Sequence, residues 1–135
     1  MRIFFDTNAL LDVALRREPH FQRSQEVLTH AIERHSCYLS WHTVSNIAYI
    51  VEKVESQSAA LEFIQNITKV CLIAPVEHKD LNIALDYNAG DLEDAMQIAS
   101  ALAVNADVIV TRDARGFAKS PITLIDPTIN QDLVA

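Results

Sequence analysis

Short apolar runs alternate with helical stripes along this chain, and that alternation predicts its architecture. Ile3 to Phe5 is an apolar run that starts a strand. Thr7-Asn8 offers capping chemistry, and Ala9 to Leu15 reads as a short helix. Arg16-Arg17-Glu18-Pro19 breaks it, with Pro19 suited to open the next helix, which carries Phe21, Ser24, Leu28 and Ile32 to about His35. Ser36 to Ser40 reads as a second strand, and Ser40 can cap a helix with Val44, Ile47, Ala48 and Val51 on one face. Ser56-Gln57-Ser58 opens another helix, with Ala60, Leu61, Ile64 and Ile67 inward. Val70 to Ala74 is a third strand closed by Pro75, and His78 to Tyr87 a short helix with Leu81, Ala84 and Leu85. After Gly90, Leu92 to Val104 is helix, and Asp107 to Thr111 and Pro121 to Ile125 are strands. Such alternation implies a single α/β domain over 1–135, with helices on both faces of a parallel sheet of about five strands.

Composition narrows the function classes. The chain has 135 residues, 50% of them hydrophobic, which suits one folded core. A formal net charge of -7 argues against coating nucleic acid by bulk charge, though acidic residues gathered at a metal site would have their charge offset by cations. Substrate would then rely on local cations, for which Arg16, Arg17, Lys53, Arg112, Arg115 and Lys119 are available. Two glycines cannot build a phosphate loop or a dinucleotide fingerprint. The five histidines show no zinc spacing, and Cys37 and Cys71 read as reduced core residues. Trp41 and Tyr49 are expected in packing, with Glu52 and Glu55 solvated. The start turns acidic too soon for a signal peptide and no apolar run approaches membrane-spanning length, so a cytoplasmic protein is expected.

Three acidic positions carry the chemistry. Asp6 ends the first strand, Asp113 follows the Asp107–Arg112 run, and Asp94 opens an apolar helix. Ends of parallel strands emerge at one sheet edge, where open α/β folds place their sites. Clustered carboxylates repel unless a cation or shared protons relieve them, and such oxygen-rich sites bind Mg²⁺ and Mn²⁺. Asp6-Thr7-Asn8 also suits a plain helix cap, and Asp91 and Glu93 suit an acidic first turn. Asp94 fits that simpler account less well, because it heads the stripe of Ile98, Ala101 and Leu102. Thr111 could orient a water or a carboxylate, and Arg112 and Arg115 could hold phosphates.

Three segments together resemble the PIN-domain ribonucleases, including the toxins of bacterial VapBC-type toxin–antitoxin pairs. They are Phe5-Asp6-Thr7-Asn8 with Leu10-Leu11-Asp12, Asp91 to Ala99, and Val110-Thr111-Arg112-Asp113 with Phe117. The resemblance implies a three-layer α/β/α sandwich and metal-dependent cleavage of RNA, usually with Mg²⁺ or Mn²⁺. It makes Asp6, Asp94 and Asp113 three of the family's four acidic positions, the catalytic metal ligands. The fourth, usually a Glu on the helix after the second strand, is Asn46 here, and Asp91 could restore its charge. This resembles a branch of the family with an Asp-x-Glu-Asp helix start. Thr7, Asn8, Asn46 and Thr111 would support the ligands. Gly116 stands where an acidic residue often precedes the Phe. Expected partners are an RNA substrate, an antitoxin protein and a second copy of the chain. A catalytically weakened PIN domain that binds RNA or protein is the alternative. A phosphoacceptor receiver domain fits less well, since Asp6 begins no acidic pair.

Overall fold

The computed structural model describes residues 1–87 and 90–129. In chain order the elements are β1 (Arg2–Phe5), α1 (Thr7–Ala14), α2 (Phe21–Arg34), β2 (Ser36–Leu39), α3 (Trp41–Val54), α4 (Gln57–Ile67), β3 (Cys71–Ile73), α5 (His78–Asp86), α6 (Leu92–Ala103), β4 (Val108–Val110) and β5 (Thr123–Ile125). The strands form one sheet in the order β3-β2-β1-β4-β5, every neighbouring pair parallel. The chain works outward from β1 to β3, then returns to lay β4 on the other side of β1. That reversal leaves a crevice at the carboxyl ends of β1 and β4, the usual ligand position in open α/β sheets. Receiver domains instead use the order 2-1-3-4-5, which sets that reading aside.

Alternation along the strands divides the core in two. Ile3 and Phe5 pack with Val27, Leu28, Ile47 and Val51 on one face. Phe4 and Ile109 point the other way, against Ile98, Ala101 and Phe117. Phe4 is fully buried, and removing its ring would cost about 3–5 kcal/mol. Cys37 and Cys71 are buried, unbridged partners in the β2–β3 register.

Local chemistry sets the helix starts. Ser40 Oγ accepts from Thr43 N at 3.1 Å, and Ser56 Oγ accepts from Ala59 N at 3.0 Å. Glu77 and Asp80 form a reciprocal capping box at α5.

Several expectations about helix faces change. Pro19 precedes α2 instead of opening it, and His20 takes the cap position. Leu61 is exposed, because α4 turns Ala60 and Ile67 inward with Ile64 and Phe63 half-buried beside them. Leu81 and Leu85 are also exposed, because α5 uses Asp80 and Ala84 as its buried line. Trp41 and Tyr49, expected in packing, lie on the solvent side of α3, with Trp41 71% exposed. The α3 stripe instead buries Thr43, Ile47 and Val51. Among the described residues no helix is long and apolar enough to cross a membrane.

Candidate metal centre at the carboxyl edge of the sheet

Asp6 leaves β1 at the crevice, and its backbone N–H still donates to Val110 O on β4 at 2.9 Å. Its extended backbone makes it the N-cap of α1, with Oδ1 accepting from Thr7 N at 2.8 Å. The cap and the strand-end carboxylate are therefore one residue. Only 5% of Asp6 is exposed, and the protein holds both carboxylate oxygens. Gln97 Nε2 donates to Oδ1 at 3.1 Å, and Thr111 Oγ1 donates to Oδ2 at 2.9 Å. Burial pushes the Asp6 carboxyl above its ordinary range; the bonds from Thr111, Gln97 and Thr7 pull the other way, while the Asp113 charge adds to the rise.

Behind Asp6 lies a buried polar layer. Gln97, 0% exposed, also lies 2.9 Å from Thr43 Oγ1 and 3.2 Å from Thr7 Oγ1. Thr7 and Thr43 share a 2.8 Å hydroxyl contact, and Ser40 Oγ donates to Thr43 Oγ1 at 2.8 Å. The first turns of α1 and α3 are thereby tied to the middle of α6. Gln97 Oε1 is left without a hydrogen-bond partner among the described residues.

Asp94 and Asp113 form the open side. Asp113 leaves β4, with its N–H donating to Thr111 Oγ1 at 3.0 Å and its Oδ1 accepting from Gly116 N at 3.0 Å. Gly116 sits between the two carboxylates: a Cβ there would overlap Asp94 Oδ2 and lie 2.5 Å from Asp113 Oδ2. The departure at position 116 thus has a steric reason, since a side chain would fill the gap between two acids. Burial first, then the charges of Asp91, Asp113, Asp6 and Glu93, push the Asp94 carboxyl up to about 6. Mutual repulsion at this level is what a divalent cation relieves.

The other expected residues fall into place or move away. Thr7 and Thr111 are in the network just described. Asn8 is exposed, and its carbonyl accepts from Arg17 Nη2 at 3.1 Å. Asn46 donates to Glu93 Oε1 at 2.9 Å. Asp91 caps α6, its Oδ1 accepting from Glu93 N at 2.7 Å and from Asp94 N at 3.4 Å. Arg112, expected to be free for phosphate, is committed elsewhere: its Nε donates to Asp12 Oδ2 at 2.6 Å and its Nη2 to Asp12 Oδ1 at 3.0 Å. Asp12 is 0% exposed and takes a second guanidinium, Arg17, at 3.0 Å, plus Ser24 Oγ at 3.3 Å. A buried carboxylate needs such partners. Arg112 therefore anchors the loop that carries Asp113 to α1. Arg115 is exposed on the same loop.

Sequence reasoning passed over Gln97, Thr43 and the partners of Asp12, and read Glu93 only as part of an acidic first turn. A lone Gln among Ala95, Ile98, Ala99 and Ala101, and a lone Asp between Leu11 and Val13, were the available signals. As the side chains stand, no three His, Cys, Asp or Glu among the described residues form a ready cage for an ion. The all-oxygen donors and the Asp94–Asp113 gap at Gly116 suit Mg²⁺ nonetheless, because that ion usually takes one or two carboxylates and keeps several waters.

A five-stranded parallel sheet with helices on both faces and an acidic crevice at its switch point defines an open α/β protein. The model of the PIN domain matches residues 2–115, and the chain belongs to the PIN-domain family. The fold agrees with solved structures. FitAcB from Neisseria gonorrhoeae superposes with a TM-score of 0.75 at 20% identity, covering 95% of this chain and 99% of that one. VapBC2 from Rickettsia felis, bound to a DNA fragment from its promoter, gives 0.73 at 16% identity, covering 93% and 98%. VapBC-1 from nontypeable Haemophilus influenzae gives 0.73 at 13% identity, covering 95% and 99%. No curated protein matches the chain.

Proposed function

We propose that this chain is a metal-dependent endoribonuclease that hydrolyses RNA phosphodiester bonds, acting as the toxin of a toxin–antitoxin pair. The observation that carries the reading is the convergence of Asp6, Asp94 and Asp113 at the switch point of a PIN-domain sheet, with a glycine keeping the space between two of them clear. Asp6, Asp94 and Asp113 would hold Mg²⁺ or Mn²⁺. When bound, the cation lowers the pKa of an attacking water and offsets charge on the phosphate.

The protein's own part is positioning. Thr111 and Gln97 hold Asp6 in one orientation. The Asp12–Arg112 pair fixes the approach of the loop that bears Asp113. Arg115, exposed on that loop, would hold a flanking phosphate, which positions RNA without reading its sequence. The toxin assignment draws on the likeness to VapBC structures, which also supports an antitoxin partner. A homodimer and a cytoplasmic location belong to the same proposal.

The test is cleavage of a structured RNA pool by wild type, Asp6→Asn and Asp94→Asn, with Mg²⁺, Mn²⁺ or chelator. Metal-dependent cleavage should fall at least about 10²-fold in both variants. Asn remains a competent cap at position 6, while its amide replaces the oxygen that accepts from Thr111, so the Asp6 result reads the charge together with that hydrogen bond. Wild-type cleavage that persists in chelator would sink the metal-dependent reading. Metal binding with no cleavage of any RNA would favour a weakened, RNA- or protein-binding domain.

A further inference from the structure

Two side-chain rungs join α3 to α6. In one, fully buried, Gln97 Nε2 lies 2.9 Å from Thr43 Oγ1, and the same amide holds Asp6. The other is exposed: Asn46 Nδ2 donates to Glu93 Oε1 at 2.9 Å. Asn46 is one turn from Thr43 on α3, and Glu93 is one turn from Gln97 on α6. The second rung therefore adjoins the first on the same pair of helices, next to the carboxylate that the first rung fixes. Glu93 is followed directly by Asp94, whose side chain faces Gly116 and Asp113.

We propose that Glu93, held in place by Asn46, is a further acidic group of the metal centre, and that Asp91 is not. This rests on the metal-dependent reading above for the nature of the cation. The hydrogen bond runs from an amide donor to one carboxylate oxygen, which leaves Oε2 of Glu93 uncommitted among the described contacts. An amide in that place orients the acid without cancelling its charge, as partners that orient metal ligands do. Asp91, by contrast, spends Oδ1 on two backbone N–H groups at the start of α6. Its work is to begin the helix that presents Glu93 and Asp94.

The experiment is calorimetric titration of Mn²⁺ into the metal-free full chain, beside RNA cleavage and thermal unfolding. Glu93→Gln keeps the oxygen that accepts from Asn46 and removes only the charge. It should weaken Mn²⁺ binding about 10- to 100-fold with little change in Tm. The exchange N46E/E93Q moves the charge across the same hydrogen bond and should recover most of that affinity. Asp91→Asn, a cap for a cap, should leave Mn²⁺ affinity close to wild type. Unchanged affinity in Glu93→Gln would overturn the assignment, as would a large loss in Asp91→Asn. Wild-type protein that binds no Mn²⁺ would overturn this assignment and the metal centre together. Wild type that binds Mn²⁺ but cleaves no RNA would remove the nuclease reading alone, and a binding loss in Glu93→Gln would still support the role of Glu93.

Discussion

Asp6 and the Asp94–Asp113 pair face the same electrostatic problem and meet it differently. Asp6 is buried, with protein donors on both oxygens from α1, α6 and the end of β4. Asp94 and Asp113 are half-buried and face one another across Gly116, where the described side-chain contact is one backbone N–H to Asp113. The first arrangement fixes a carboxylate before any ligand arrives. The second leaves two acids with unsatisfied charge and room between them. On the metal-dependent reading proposed above, a rigid anchor beside an adaptable pair is a workable way to hold an ion that must also accept a passing phosphate.

The largest effect should come from breaking the buried Asp12 anchor, which ties the Asp113 loop to α1. Asp12→Ala strands Arg17 and Arg112 beside a buried space and should destabilise the fold by about 3–5 kcal/mol in chemical denaturation. A near-silent Asp12→Ala would mean that the anchor is less rigid than its contacts imply. The open half should respond in the opposite way. Gly116→Ala pushes a methyl group between Asp94 and Asp113 and should lower Mn²⁺ affinity about tenfold with a small change in Tm. If affinity holds and stability drops, the gap at Gly116 serves packing alone.

The smallest effect is a pH dependence. The Asp94 carboxyl sits at about 6 in the folded chain, against an ordinary value of 3.8. Between those values the native state binds more protons than the unfolded chain, so stability of the metal-free protein should fall as pH rises from about 4 to about 6 and then level off. The raised Asp6 carboxyl acts in the same direction. Melting temperatures at pH 5 and 7 would show it, and saturating Mg²⁺ should stabilise more at pH 7 than at pH 5, where protons compete. Asp94→Asn should flatten much of the metal-free slope. An unchanged slope would place the charge strain elsewhere.

How much of this was legible in the sequence depended on the range of each interaction. Asp6 could be read because a strand end, a cap and an acidic residue coincide within Phe5-Asp6-Thr7-Asn8. The strand at Val108–Val110 and the helix from Leu92 were equally local. The Arg112–Asp12 pair joins residues 100 positions apart, and no local pattern announces it. Read alone, Arg112 was a cation free for phosphate; only the folded chain shows where its fork is spent. The Asn46–Glu93 bond spans 47 positions and was hidden in the same way. Leu81, Leu85, Leu61 and Trp41 are apolar at helical spacing, but which line of a helix is buried depends on its neighbour, and α5 turns Asp80 and Ala84 inward instead. Position 116 showed a missing acid in the sequence and a needed gap in the structure.

The placement of β4 beside β1 has a consequence for when activity can begin during synthesis. Asp6 needs Thr111, Asp12 needs Arg112, and the third acid is Asp113. A nascent chain that has exposed everything up to α6 has Asp6 and Asp94 but not Asp113. The acidic edge comes into being only when β4 leaves the ribosome and enters the sheet, at the end of a long-range closure. On the nuclease reading proposed above, that order of assembly withholds activity from the growing chain until β4 is made.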